Sequence, residues 1–272
     1  MQLIEMASLT LTLPQALSRA VSAFKTGKFV EAEQICQQMI SAKNDFFDAL
    51  YLLAVVQSSL GKYDLALASY DRALAMRPNH AEALSNRGLT LQELKRLDEA
   101  LASYGLALAV SPEYAEALYN RGNTLMKLRR LDEALASYDR ALIVRPYHVE
   151  ALTNRGAILH ELKQLNEALA SYDRALVVRP NHAEALNNRG IILQALKRLD
   201  EALVSYERAL AVRPDYAEAL YNRGVILQEL QRLDEALAAY DRALAVRPDY
   251  AEALYNRAVA LFRQKRLAML KR

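Results

Sequence analysis

Cysteine is nearly missing from this chain of 272 residues: there is one, Cys36. A disulfide framework or a zinc site built on cysteines is therefore excluded within a single chain. Glycine is scarce as well, at eight, and neither a P-loop nor the dinucleotide-binding fingerprint occurs. No apolar run approaches the length of a membrane span. An excess of one charge is also lacking, with 35 basic against 32 acidic residues and both signs interspersed. Phosphate binding needs clustered Lys and Arg on one face, so no nucleic-acid partner is expected. The first thirteen residues contain Glu5, lack a basic start and carry a broken apolar run, which does not fit a secretory signal peptide. A cytoplasmic location is the default expectation.

What the chain has is repetition. Residues 115–148, AEALYNRGNTLMKLRRLDEALASYDRALIVRPYH, recur without insertion from Ala81, Val149, Ala183 and Ala217, less closely from Phe47, faintly from Leu13, and start again at Ala251. A fixed period of 34 means stacked supersecondary units. Leu118, Gly122, Leu125 and Leu128 form one helical stripe, and Leu131, Ala134, Leu135, Tyr138, Ala141 and Leu142 a second. Residues 129–132 form the turn between the two helices. Asp132 and Glu133 place negative charge where the free amides of the second helix favour it, and Pro146 ends that helix. Gly122, Ala134 and Ala141 are small where larger side chains would hold two helices apart. One such pair cannot bury its own apolar surface, so stability becomes a sum over repeats and their interfaces.

These residues carry a resemblance to the tetratricopeptide repeat (TPR) family. Leu118, Gly122, Ala134, Tyr138, Ala141 and Pro146 fall at the family's pattern positions, and the match covers nearly the whole chain. It departs where the family usually has Leu: Arg87, Arg121, Arg155, Arg189, Arg223 and Arg257 stand there instead, and Leu91 and Leu125 replace the usual Tyr. The resemblance implies an all-α fold, a right-handed α-solenoid whose first helices line a concave groove. The expected organisation is an N-terminal segment 1–12 and an array 13–272. Its units start at 13, 47, 81, 115, 149, 183 and 217, with a partial unit at 251. Within it, Gly105, Leu106 and Ser111 interrupt the otherwise uniform second helices, and a mid-helix glycine costs about 1 kcal/mol relative to alanine.

The remaining special residues leave no catalytic set, and neither cofactor nor metal is expected. His80, His148 and His182 share one repeat-end position with Tyr114, Tyr216 and Tyr250, a common site for flat rings. His160 lies on a first helix beside Glu161 as a groove residue. Within the polar stripe on each first helix, one position is Asn in six successive repeats: Asn86, Asn120, Asn154, Asn188, Asn222 and Asn256. An Asn amide donates and accepts together, so it can hold a peptide backbone whatever the side chains. With helices 8–10 Å apart and an extended chain advancing about 3.3 Å per residue, successive Asn meet roughly every third residue. The column resembles the asparagine ladder of the TPR superhelix in O-GlcNAc transferases. Ser18 and Leu52 break it in the first two units.

Around the ladder, Tyr119, Asn187, Tyr221 and Tyr255 occupy one variable column, Asn123 a second, and Lys127 is the chief groove cation. Glu82, Glu116, Glu150, Glu184, Glu218 and Glu252 make an acidic rim, unlike TPR domains that clamp a carboxylate with Lys and Arg. The head of the Arg121-type residue is expected to meet a carboxylate such as Asp139 or Asp132. The function expected is a non-enzymatic scaffold that binds an extended protein or peptide segment. The alternative is a substrate-selecting arm of a larger enzyme such as a glycosyltransferase. Leu254, Leu261, Phe262, Leu267 and Leu270 have no following helix, so the chain is expected to self-associate through its last repeat or to be longer in its natural form.

Overall fold

The computed structural model describes residues 3–6, 9–43 and 46–270. It divides into two compact units, Met1–Val144 and Arg145–Arg272. The fold class is all-α: each unit stacks antiparallel helix pairs in the manner of an α-solenoid.

The first unit opens with a hairpin inside the N-terminal segment. Strand β1 (Leu3–Met6) pairs antiparallel with β2 (Leu9–Thr12), with Leu3 opposite Thr12 and Met6 opposite Leu9. Helices α1 (Leu13–Lys25) and α2 (Phe29–Ala42) follow, then α3 (Phe47–Ser59), α4 (Tyr63–Met76), α5 (Ala81–Glu93), α6 (Leu97–Val110), α7 (Ala115–Lys127) and α8 (Leu131–Val144). Helix α1 carries Pro14 in its first turn, where a missing amide is no loss, and Thr12 N–H donates to Gln15 Oε1 at 2.9 Å. Cys36 is fully buried, and burial pushes its thiol up to about 12, so it is an inert core residue. Gly105 leaves α6 continuous.

The second unit contains α9 (Val149–Glu161), α10 (Leu165–Val178), α11 (Ala183–Ala195), α12 (Leu199–Val212), α13 (Ala217–Glu229), α14 (Leu233–Val246) and α15 (Ala251–Leu270). Helix α15 runs straight through Lys265, where the earlier repeats turn. Leu254, Tyr255 and Phe262 are exposed on it, whereas Leu220, the counterpart of Leu254, is fully buried. The side chains of Leu267 and Leu270 lie outside the described residues.

Every turn inside a pair has the same geometry. Arg130 N–H reaches back to Leu125 O at 2.9 Å and Arg129 N–H to Met126 O at 3.0 Å, the paired bonds of a Schellman motif. The residue between must be left-handed: Gly27 and Gly61 take it at φ +76 and +72, but Lys95, Arg129, Lys163, Lys197 and Gln231 do so at φ 59 to 63.

From the second pair onward, the core of each pair is a buried tyrosine lying against the first helix. Tyr70, Tyr104, Tyr138, Tyr172, Tyr206 and Tyr240 are at most 2% exposed. The close-contact glycines exist to admit these rings: a Cβ at Gly88, Gly122, Gly156, Gly190 or Gly224 would meet ring carbons at 2.5 to 2.8 Å.

The arginine column is structural, with partners other than those expected. Arg121 NH1 donates to Ser137 Oγ at 2.6 Å and its NH2 lies 3.8 Å from Glu133, where Asp139 or Asp132 had been the expected partner. The reason is stacking. Arg87 and Arg189 bond the serine sixteen residues ahead, Ser103 and Ser205, and a carboxylate sixteen behind, Asp71 and Asp173, all at 2.6 Å. Each therefore ties its own second helix to that of the preceding repeat. Sixteen residues before Arg121 stands Gly105, which has no carboxylate. Burial, with Arg130 and Arg140 nearby, lowers the pKa of Arg121.

Two further links share that interruption. Arg140, Arg174, Arg208 and Arg242 donate to the carbonyls of Pro112, Pro146, Pro180 and Pro214 at 3.0 to 3.3 Å. Leu106 holds the equivalent position opposite Pro78 and is 57% exposed. Arg77 and Arg179 pair with Asp48 and Glu150, while Ser111 takes the same place opposite Glu82.

Candidate functional site

All six ladder asparagines sit half-buried on first helices. They are held as well as displayed. Asn86 Nδ2 donates to Tyr51 Oη at 2.9 Å, Asn222 Nδ2 to Asn187 Oδ1 at 3.1 Å and Asn256 Nδ2 to Tyr221 Oη at 2.9 Å, in each case the residue 35 places earlier on the preceding first helix. Asn188 hydrogen-bonds the phenol of Tyr172. In Asn86, Asn222 and Asn256 one amide hydrogen thus fixes the plane of the group, and the carbonyl oxygen and second hydrogen remain for other use, whereas Asn188 Oδ1 also accepts from Asn187 Nδ2 at 3.3 Å.

The flanking residues divide. Asn187 is buried under the next repeat, so it supports Asn222 rather than offering a surface. Asn123 Oδ1 accepts from the core phenol of Tyr138 at 2.6 Å, a role the sequence pattern does not announce. Tyr119 tilts against Tyr138 with ring centroids 6.0 Å apart, and Tyr221 against Tyr240 and Tyr250 at 6.1 and 5.0 Å. Tyr255 is 70% exposed. Lys127 is exposed, and His160 is half-buried with its pKa lowered by burial and by Lys163.

The acidic rim is largely neutralised where its partners are seen. Glu150 pairs with Arg179 at 3.0 Å, and its own helix-terminal amide together with Arg179 lowers its pKa; Glu218 pairs with Arg247. The repeat-end rings do more than fill space. Nδ1 of His80, His148 and His182 accepts from the N–H of Ala83, Ala151 and Ala185 at 3.1 to 3.2 Å, capping the next first helix. His80 also packs on Phe47 at 4.9 Å. Among the described residues no group of His, Cys, Asp and Glu is placed to hold a metal, and no helix is long and apolar enough to cross a membrane.

Paired helices of 13 and 14 residues, repeated every 34 and locked by a tyrosine on a glycine, define a helical-repeat protein of the solenoid class. The chain belongs to the tetratricopeptide repeat family. Models described as tetratricopeptide repeat match residues 47–80, 69–102, 115–148, 147–215 and 188–244, and one described as TPR repeat matches 91–129 and 226–265. No curated protein matches. Among solved structures, YrrB, described as a TPR protein with an unusual peptide-binding site, is 28% identical with TM-score 0.63, covering 70% of this chain and 97% of its own. The C-terminal part of a TPR repeat-containing protein from Cytophaga hutchinsonii shares the fold at TM-score 0.73 and 17% identity, over 88% of this chain and 98% of that one. MamA does so at TM-score 0.58 and 21% identity, over 61% and 96%.

Proposed function

We propose that the protein is a scaffold whose first-helix faces bind an extended segment of another protein, with the ladder asparagines gripping its backbone. The observation that carries this reading is the anchoring of Asn86, Asn222 and Asn256 by their neighbours. An amide whose rotamer is fixed before binding loses less entropy when it is used, which favours affinity. The tyrosines beside the ladder add amphipathic contact area. The peptide-binding description of YrrB, a 28% identical chain, supports the same use of this one.

The test is calorimetry with peptides selected from an array on the intact chain. Replacing Asn120, Asn154, Asn188 and Asn222 with Ala is expected to weaken binding at least tenfold while circular dichroism stays helical. Unchanged affinity in the folded quadruple variant would overturn the reading.

A further inference from the structure

In the first unit a hollow of about 390 Å³ opens beside the ladder, between α3 and α5. Val55, Leu89 and Tyr70 form its apolar walls, and Ser58, Ser59, Asn86, Thr90 and Glu93 its polar lining. The direction of the hydrogen bonds decides what it can take. Ser59 Oγ donates to Val55 O and Thr90 Oγ1 to Asn86 O, both at 3.0 Å. With the Thr90 proton placed, Ser58, 3.0 Å away, donates to Thr90. The phenol of Tyr70 in turn bonds Ser58, and one Asn86 amide hydrogen goes to Tyr51. Only the second Asn86 hydrogen and the Tyr63 hydroxyl remain as donors. Lone pairs dominate, and the one formal charge on the lining is the Glu93 carboxylate, which makes no ion pair or hydrogen bond among the described residues.

From this we infer that the hollow receives the lysine or arginine side chain of a partner's extended segment. The apolar walls cover its methylenes, and its cationic head donates to Glu93, Asn86 Oδ1 and Ser59. The inference rests on the reading of this face as a peptide site and names a residue that the peptide must contain. Neighbouring repeats lack the arrangement. Lys127 stands where Glu93 would recur, Glu161 recurs but already has a partner of its own, Ala195 is neutral, and Glu229 is already bound by Gln194 at 2.9 Å and Lys197 at 3.8 Å. The hydroxyl pair Ser58 and Thr90 becomes Gln92 with Thr124, then Met126 with Ile158 beside Glu161, then His160 with Ile192.

The experiment is a positional-scanning array of ten-residue peptides probed with the full chain and with Glu93→Gln and Glu93→Lys. Glu93 is exposed, so both variants are expected to fold, with circular dichroism as the check. The wild type should select Lys or Arg over Ala at one position at least tenfold. Glu93→Gln should lose that selection and keep the others, and Glu93→Lys should replace it with Asp or Glu. Peptides bound without a basic preference, or a preference that survives Glu93→Gln, would overturn the inference and leave the scaffold reading standing. Binding of no peptide would overturn both, and spermidine binding through Glu93 without peptide selection would assign the hollow to a free polycation and overturn the segment.

Discussion

A Cβ on Gly122 would sit 2.7 Å from Cε1 of Tyr138, and its three nearest neighbours are all atoms of that ring. Alanine in a helix interior is worth about 1 kcal/mol more than glycine, so propensity alone would favour replacement. Overpacking works against it by typically 1–3 kcal/mol. Gly122→Ala is therefore expected to destabilise by about 1 kcal/mol net, and the five equivalent changes together by several-fold more. Ala20 opposite Cys36 shows the smaller pairing the first repeat uses. A double-mutant cycle of Gly122→Ala with Tyr138→Cys, followed by denaturant unfolding, should give a non-additive coupling. Additive effects would show that the ring and the glycine do not compete.

The left-handed turns lead to the opposite expectation. A non-glycine residue there carries a penalty of roughly 1–2 kcal/mol, offset in part by the greater freedom of glycine in the unfolded chain. Replacing Lys95, Arg129, Lys163, Lys197 and Gln231 with Gly should raise the melting temperature, each change adding a few tenths to about 1 kcal/mol. A fall in melting temperature would mean that these side chains hold the array together.

In the third repeat, Gly105, Leu106 and Ser111 together remove three links that other repeats make. Amides in residues 101–110 should then exchange faster than those in 169–178. Gly105→Asp with Leu106→Arg should slow exchange by giving Arg121 its carboxylate and Pro78 its donor. Gly105→Ala is the control: equal slowing by that change alone would assign the effect to helix propensity.

Alkali tests the tyrosine core. Burial raises the pKa of Tyr70, Tyr104, Tyr172, Tyr206 and Tyr240 above the ordinary phenol value near 10. A group whose folded pKa is raised contributes stability that is complete below its unfolded pKa and is lost as pH rises beyond it. Stability should hold to about pH 10 and then fall steeply. Tyrosinate absorbance should show a late phase, from the buried phenols, that coincides with loss of helicity. A single phase with helicity intact would contradict buried phenols.

The period, the pairing of helices, the apolar stripe that holds Tyr138 and the need for a small residue at Gly122 were legible because each is local to one repeat. What was not legible depends on relations between repeats. Asp71 and Arg87 are sixteen apart in successive repeats, and only the stacking of second helices reveals that an arginine reaches backward. Asn123 looked like a groove residue because its partner, Tyr138, lies on the other helix of the pair. The capping role of His80 was hidden because Tyr114, at the same position, cannot accept through a ring nitrogen. The hairpin escaped because four residues of alternation at Leu9–Thr12 are too few to separate strand from irregular chain.

Because Arg87 and Arg189 each take a hydroxyl from their own repeat and a carboxylate from the repeat before, the joint between repeats is a common fitting. Excision of residues 81–114 would bring Arg121 to the carboxylate of Asp71 and Arg140 to the carbonyl of Pro78. The shortened chain would have a more complete set of fittings than its parent. It would also carry Lys127 where Glu93 had been, so the loss of a single repeat by recombination would leave the architecture intact while reversing the charge that its binding face offers.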